Sequence, residues 1–437
     1  MVDNSIDKIT NYCNGKWKLI PKNKCFNKLS KDSRTIKSGD IYIALNGENF
    51  DGNDFIDNAF NSGAVAAIAT SSYNGSNKNI LFVEDPLSAL QKIGIQNRKK
   101  WSGETIGITG SAGKTTIKEL CSSILFQKFN IHKTFGNYNN HIGLPLTLSE
   151  LELEHECLVA EIGMSKPGEI KMLAEWLKPN IAILSDIGLA HSANFDSLEH
   201  IVHEKCGLLE VLNKNDIAIL DIDSPWFNYF EKVTNSKIIT ISLKGNGDIN
   251  GTFRSNNTLE IENQYYQLPQ PGEHMARNTI KAIALAKYFN ISANQIQNGL
   301  KDYKSPSMRW EELEINNITW INDSYNANPL SMRAALNTFE NFSSKRKIVI
   351  IGRMHELGSN SEHQHKILFD IVDNLNINEW ILIGNWDVEL LSYKKGKLFD
   401  NIDQVIIYLK RTIKSGDSIL LKASRVESLD KIINYFK

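Results

Sequence analysis

A three-domain α/β protein is what this sequence predicts, and three observations predict it. Short apolar runs recur between amphipathic stretches along most of the chain. A glycine-rich loop stands between one such run and a helical stretch, the arrangement that cradles phosphate. At 437 residues the chain is too long for one ordinary core. The expected division is a small N-terminal α/β domain over residues 1–100, a central P-loop domain over 101–306 and a Rossmann-like α/β domain over 307–437. The central domain is expected to carry a mostly parallel sheet wrapped by helices.

In the first region, β-like runs at 41–45 (IYIAL), 64–69 (AVAAIA) and 80–83 (ILFV) alternate with turns rich in glycine and asparagine. In the second, the runs TIGIT, CLVAEIG, NIAILSDIG and DIAILD alternate with helical stretches such as TTIKELCSSILFQKF. Apolar runs without strict alternation suit parallel strands covered on both faces. Residues 245–271 are turn-rich and read as a strand meander leading into a helix rich in alanine and isoleucine. The third region repeats the pattern with ITWIND, KIVIIG, WILIG and SILLKAS.

Composition excludes several classes of function. A hydrophobic content of 41% with 23% charged residues is that of a globular protein. The formal net charge of −1 offers no basic field for nucleic acid or an anionic membrane, so neither is an expected partner. Cys13, Cys25, Cys121, Cys157 and Cys206 are scattered without CxxC spacing, so no zinc site or disulfide framework is expected. No apolar run reaches the length of a membrane span, and the opening MVDNSIDKIT lacks signal-peptide character. A cytoplasmic monomer is expected.

The loop at 107–116 reads GITGSAGKTT. Gly110 and Gly113 let the backbone N–H groups of Ser111, Ala112 and their neighbours curl around an anion, and the helix starting near Lys114 aims its positive end at the same point. Lys114 would reach the terminal phosphates and the Thr115 hydroxyl would ligate Mg²⁺, with Thr116 beside it. The general P-loop pattern has a glycine where this chain has Ile108. The alternative is a plain glycine-rich turn with a solvated lysine. Beyond the loop come the asparagine-rich block 134–145 (TFGNYNNHIGLP), then Glu161 and His191, each near the end of an expected strand. Ligands gather at the carboxyl ends of strands in open α/β sheets.

With these residues in view, the chain resembles the Mur ligase family over essentially its whole length. The resemblance rests on Asp32-Ser33-Arg34, Gly39-Asp40 and Phe50-Asp51-Gly52, on the TGSAGKT loop without its first glycine, and on GNYNNHIGLPL. It rests further on Pro271-Gly272-Glu273-His274, on the block 322–329 (NDSYNANP), and on His355-Glu356-Leu357-Gly358 with His365. The 322–329 block is similar to that of the member adding D-alanyl-D-alanine, and the DNPR stretch of the member adding the diamino acid is absent. The resemblance implies an ATP- and Mg²⁺-dependent ligase that joins the carboxylate of a UDP-N-acetylmuramoyl-tripeptide to the amine of D-alanyl-D-alanine through an acyl phosphate.

The resemblance extends to individual residues. Lys114, Glu161, His191 and Lys205 are implied as catalytic, and Thr115, Glu161 and His191 as metal ligands. Asn278 is implied to read adenine from the start of a helix, the alternative being an ordinary helix-start asparagine. Arg309 is implied to reach the ATP phosphates from the third domain, the alternative being a surface arginine paired with Glu311 or Glu312. Ser33 and Arg34 are implied to hold the uridine diphosphate end, and Asn137, Asn139, Asn140, Asp323, Asn326 and Asn328 to contact substrates. Lys205 matches a lysine that reacts with CO₂ to a carbamate, although Gly207 stands where an acidic residue usually occurs; a solvated helix lysine is the alternative. Three further departures are Arg353 within Gly352-Arg353-Met354, Ser185-Asp186 in place of Thr-Asn, and Lys422-Ala423-Ser424-Arg425 in place of Lys-Gly-Ser-Arg.

Charge explains why such a reaction needs cations. A carboxylate must meet a phosphate, and at about 4 Å with an effective dielectric of about 20 each unit pair repels by roughly 4 kcal/mol.

Overall fold

Apolar runs that cannot face water are the cause of the architecture. The computed structural model describes residues 5–22, 24–77, 79–190, 192–386 and 393–437, which form three sheets in chain order. The first sheet contains β1 (Lys16–Trp17), β2 (Leu29–Ser30), β3 (Ile41–Ile43), β4 (Ala66–Ala69) and β5 (Ile80–Phe82), in the order β1-β5-β4-β3-β2. Only the β1/β5 pairing is antiparallel. The helix Pro86–Lys100, capped by Asp85, leaves this sheet and packs on the helix Gly143–Ser149 of the next unit, so Leu146 joins the first core.

The central sheet contains β6 (Glu104–Thr109), β7 (Ile131–Lys133), β8 (Cys157–Glu161), β9 (Ile181–Leu184), β10 (Ile217–Asp221) and β11 (Lys237–Ser242). It continues through β12 (Ile249–Arg254), β13 (Thr258–Ile261) and β14 (Gln264–Gln267), the expected meander. The order β14-β13-β12-β11-β10-β9-β6-β8-β7 puts β6 between β8 and β9. Pairing is parallel from β7 to β12 and antiparallel over the meander. Ile106 and Ile108 pack into one core with Ile117 and Leu120, while Leu158 and Ala160 on neighbouring β8 face the other. Burial on both faces is what an unalternating apolar run predicts.

The third sheet contains β15 (Glu311–Ile315), β16 (Ile318–Asn322), β17 (Arg346–Ile351), β18 (Glu379–Ile383), β19 (Gly396–Phe399) and β20 (Asp417–Lys422), in the order β15-β16-β20-β17-β18-β19. All of it is parallel except β15/β16. The five cysteines are free thiols, and among the described residues no helix is long and apolar enough to cross a membrane.

Candidate active site

Strand β6 delivers the loop. Its last residue, Thr109, donates its hydroxyl to the Ile162 carbonyl at 2.9 Å, and Gly110 then turns at φ +147° with a β-carbon position only 1.9 Å from Ser185 Oγ. Gly113 lies at φ +87°, and a β-carbon there would stand 2.7 Å from Asn278 Oδ1. Glycine is demanded at both positions by conformation and by space. The helix Lys114–Leu125 starts directly after, and no side chain caps it, so its first N–H groups point into the loop. Asp186 braces the loop from behind, its carbonyl accepting from the N–H groups of Ser111 and Ala112 at 2.8 and 3.1 Å. Lys114 Nζ lies over the loop, 2.9 Å from the Gly110 carbonyl. Burial pushes its pKa down, aided by Arg309, while Glu161 and Glu356 pull the other way.

Glu161 closes β8 beside this loop and is 2% exposed. Asn139 Nδ2 donates to its Oε1 at 2.8 Å, while Oε2 is buried without a hydrogen-bond partner among the described residues. A buried carboxylate oxygen with nothing to accept from costs free energy unless a cation meets it. Lys118, four residues beyond Lys114 and fully buried, fixes the asparagine block: its Nζ donates to the carbonyls of Thr134 and Gly136 at 2.9 and 3.2 Å and pairs with Glu119 at 3.0 Å. Sequence reading missed Lys118. Its helical spacing from Lys114 was visible, but its carbonyl partners were not.

One cavity of about 650 Å³ unites these groups. Its walls include the loop residues 111–116, Asn137, Asn139, Asn140 and Glu161 from the central unit, and Arg309, Asp323, Asn326 and Asn328 from the third. Asn328 caps the helix Pro329–Glu340 through Oδ1 and sends Nδ2 to the Ser111 carbonyl at 3.2 Å, tying the third unit to the loop. Lys422, 3% exposed, pairs with Asp323 at 2.8 Å and donates to the carbonyl of Asn326 at 2.9 Å, which fixes the 322–329 block. Arg309 is not paired with Glu311 or Glu312; its guanidinium stacks over Tyr325 at 4.4 Å on the cavity wall. Asn278 is not a helix-start residue. It sits within the helix Glu273–Tyr288, 6% exposed, against Gly113.

Two expected residues stand apart. Ser33 and Arg34 lie beyond β2 in the first sheet, where Arg34 forks onto Asp32 at 2.9 and 2.7 Å and holds that carboxyl down to about 2. Neither lines the cavity. His191 lies outside the described residues.

Residues 108–286 match the Mur ligase middle domain, residues 308–425 the Mur ligase glutamate ligase domain, and residues 26–104 the catalytic domain of the Mur ligase family. The chain belongs to the Mur ligase family. Among relatives, the UDP-N-acetylmuramoyl-tripeptide–D-alanyl-D-alanine ligase of Buchnera aphidicola is 36% identical, covering 93% of this chain and 91% of its own. The MurF crystal structure from Acinetobacter baumannii superposes with a TM-score of 0.89 at 26% identity, over 100% of this chain and 99% of that one. MurF from Thermotoga maritima in complex with ADP gives 0.80 at 26% identity, over 94% of this chain and 97% of that one.

Set among Mur ligases, the departure at Gly207 acquires a physical reason, and it starts from the lysine two residues before it. Lys205, in the helix Leu198–Glu210, is not a solvated lysine: it is 1% exposed and has no hydrogen-bond or ion-pair partner among the described residues. Burial drives its pKa well below the ordinary value and Lys114 adds to this, against Glu204 and Glu161. Glu204 already accepts from the N–H groups of Gly168 and Ile170 at 2.7 and 2.9 Å. Gly207 is small because that helix meets its neighbour there: a β-carbon would stand 2.9 Å from Lys171 N, so an acidic side chain has no room. Arg353 is exposed, stacks over Trp386 at 4.6 Å, donates to the Asn385 carbonyl and does not line the cavity.

Proposed function

We infer that this Mur ligase is the ATP-dependent enzyme that joins the tripeptide carboxylate of UDP-N-acetylmuramoyl-tripeptide to the amine of D-alanyl-D-alanine, a step of peptidoglycan precursor synthesis. The observation that carries the reading is one cavity bounded by the phosphate loop, by Glu161 with its asparagine block, and by the 322–329 block of another unit. A nucleotide, a carboxylate and an amine can meet there. The relatives named for this reaction, aligned over nearly the whole chain, support it further.

The roles we propose rest on the chemistry of these groups. The loop N–H groups and Lys114 neutralise the phosphates as the substrate carboxylate approaches to form an acyl phosphate. Thr115 and the unpartnered oxygen of Glu161 would hold Mg²⁺, together with His191, which lies outside the described residues. When bound it would supply positive charge that offsets the repulsion of phosphate and carboxylate. Asn139 keeps Glu161 aimed, and Lys118 keeps Asn139 in place by fixing its loop. A carbamate on Lys205 would put an anion in this site, and burial favours the uncharged form of the amine, the form that can attack CO₂. Asn278 reads the base, and Arg309 reaches the phosphates from the third unit, excluding water from the acyl phosphate. The dipeptide amine, with a pKa of about 8, needs no strong base.

We further propose that residues 1–100 hold the UDP end through Ser33 and Arg34, that 101–306 hold ATP, and that 307–437 bring the dipeptide and close on ATP. The enzyme is proposed to act as a cytoplasmic monomer. ADP formation, measured with a panel of UDP-muramoyl peptides against a panel of dipeptides, tests the assignment. Release should require both the tripeptide nucleotide and D-alanyl-D-alanine. Release without either substrate would point to an uncoupled NTPase instead.

A further inference from the structure

The pair Asp186–Lys281 takes no part in neutralising the phosphates or in holding the carboxylate. Lys281 is fully buried on the helix Glu273–Tyr288, three residues beyond Asn278, and its Nζ stands 3.1 Å from Asp186 Oδ1. Asp186 lies just past β9, and its carbonyl braces the phosphate loop at Ser111 and Ala112. Its side chain is 41% exposed and lines the cavity, as does Asn278. The second carboxylate oxygen, Oδ2, has no hydrogen-bond partner among the described residues.

These positions bound the part of the cavity next to the loop on the side of Asn278. If phosphates occupy the loop and Asn278 reads the base, as proposed above, this wall faces the base, so a role for the pair in base recognition rests on the proposed ATP-dependent function. Asn278 is a poor discriminator alone, because an amide offers both a donor and an acceptor and can turn to suit either kind of base edge. An ionised carboxylate offers acceptors only.

We propose that Asp186 sets the base preference of this enzyme: Oδ2 accepts a hydrogen bond from the exocyclic amine of adenine and repels the carbonyl oxygen that hypoxanthine or guanine carries at the same ring position. Burial pushes the Asp186 pKa up, but the ammonium of Lys281, with Arg277 and His274 behind it, overrides this and leaves it below the usual range. The group is therefore an acceptor throughout the neutral range. Lys281 is a positioning residue: it aims one carboxylate oxygen and leaves the other for the base.

The test is the ratio of kcat/KM for ATP to that for ITP in the complete ligase assay, with both peptide substrates present. Wild type should favour ATP, and Asp186→Asn should cut the ratio by about 10- to 100-fold, because the amide can turn its N–H₂ toward the carbonyl of inosine. Asp186→Asn strands the Lys281 ammonium, so Asp186→Asn combined with Lys281→Met should recover thermal stability while the lowered ratio persists. A wild type that uses ATP and ITP equally overturns the proposal. So does a ratio unchanged in Asp186→Asn, which would make the pair a tie between the helix and the loop and nothing more. A wild type that makes no ADP with either nucleotide fails at the earlier step, overturning the ligase reading itself.

Discussion

Lys114→Ala should abolish amide formation, lowering kcat by at least about 10³-fold, the upper end of what one oriented donor to developing charge contributes. Lys114 is the side-chain ammonium that folds over the loop, 2.9 Å from the Gly110 carbonyl, with Glu161 within its electrostatic reach. Without it, the phosphate and the incoming carboxylate face each other with one cation fewer, and repulsion of about 4 kcal/mol per unit pair is left to oppose the encounter. The variant should remain folded, because burial already disfavours the charged lysine and alanine suits a helix start. Single-turnover formation of the amide, beside a thermal melt, checks both halves. More than a tenth of wild-type turnover in a folded variant would contradict the role.

Lys205→Ala should cost about 10²-fold in turnover, the scale of one lost charge-orienting group. Small anions such as formate should restore part of it by taking the carbamate's place. Because Lys205 is 1% exposed, truncation also opens a void. Lys205→Met retains most of the volume and separates packing from chemistry: it should melt close to wild type and remain as slow as Lys205→Ala. In ¹³C-bicarbonate the wild type should show a carbamate resonance that both variants lack. Full activity in Lys205→Ala with no response to anions would show that the lysine serves only packing.

Where partners are contiguous in the chain, the sequence was legible. The phosphate loop needs only a strand end, two glycines and a helix start, all within 104–125, and the structure assembles them as read. The parallel strands were legible because burial on both faces leaves nothing but apolar residues in them. The edge strand β15 was not: it reads Glu-Glu-Leu-Glu-Ile, two of its five residues are exposed and none is buried, and no apolar run marks it. Asn278 was read at a helix start, yet the helix begins at Glu273 and carries Asn278 a turn inward.

Residues whose partners come from far along the chain were hidden altogether. Lys281 is one, since its meaning depends on Asp186, 95 positions away. Lys118 was hidden for a different reason: its carbonyl partners, Thr134 and Gly136, are backbone groups that no side-chain pattern announces. Gly207 looked like a flaw in the carbamate motif and is a packing requirement at Lys171.

The central claim is that the cavity joins ATP and a carboxylate before any amide forms. Oxygen transfer tests it most directly. With both oxygens of the tripeptide carboxylate labelled as ¹⁸O, turnover with ATP and D-alanyl-D-alanine should leave one ¹⁸O in each phosphate released, because cleavage of the acyl phosphate hands that oxygen to phosphorus. Amide formed at the normal rate with unlabelled phosphate would contradict the account.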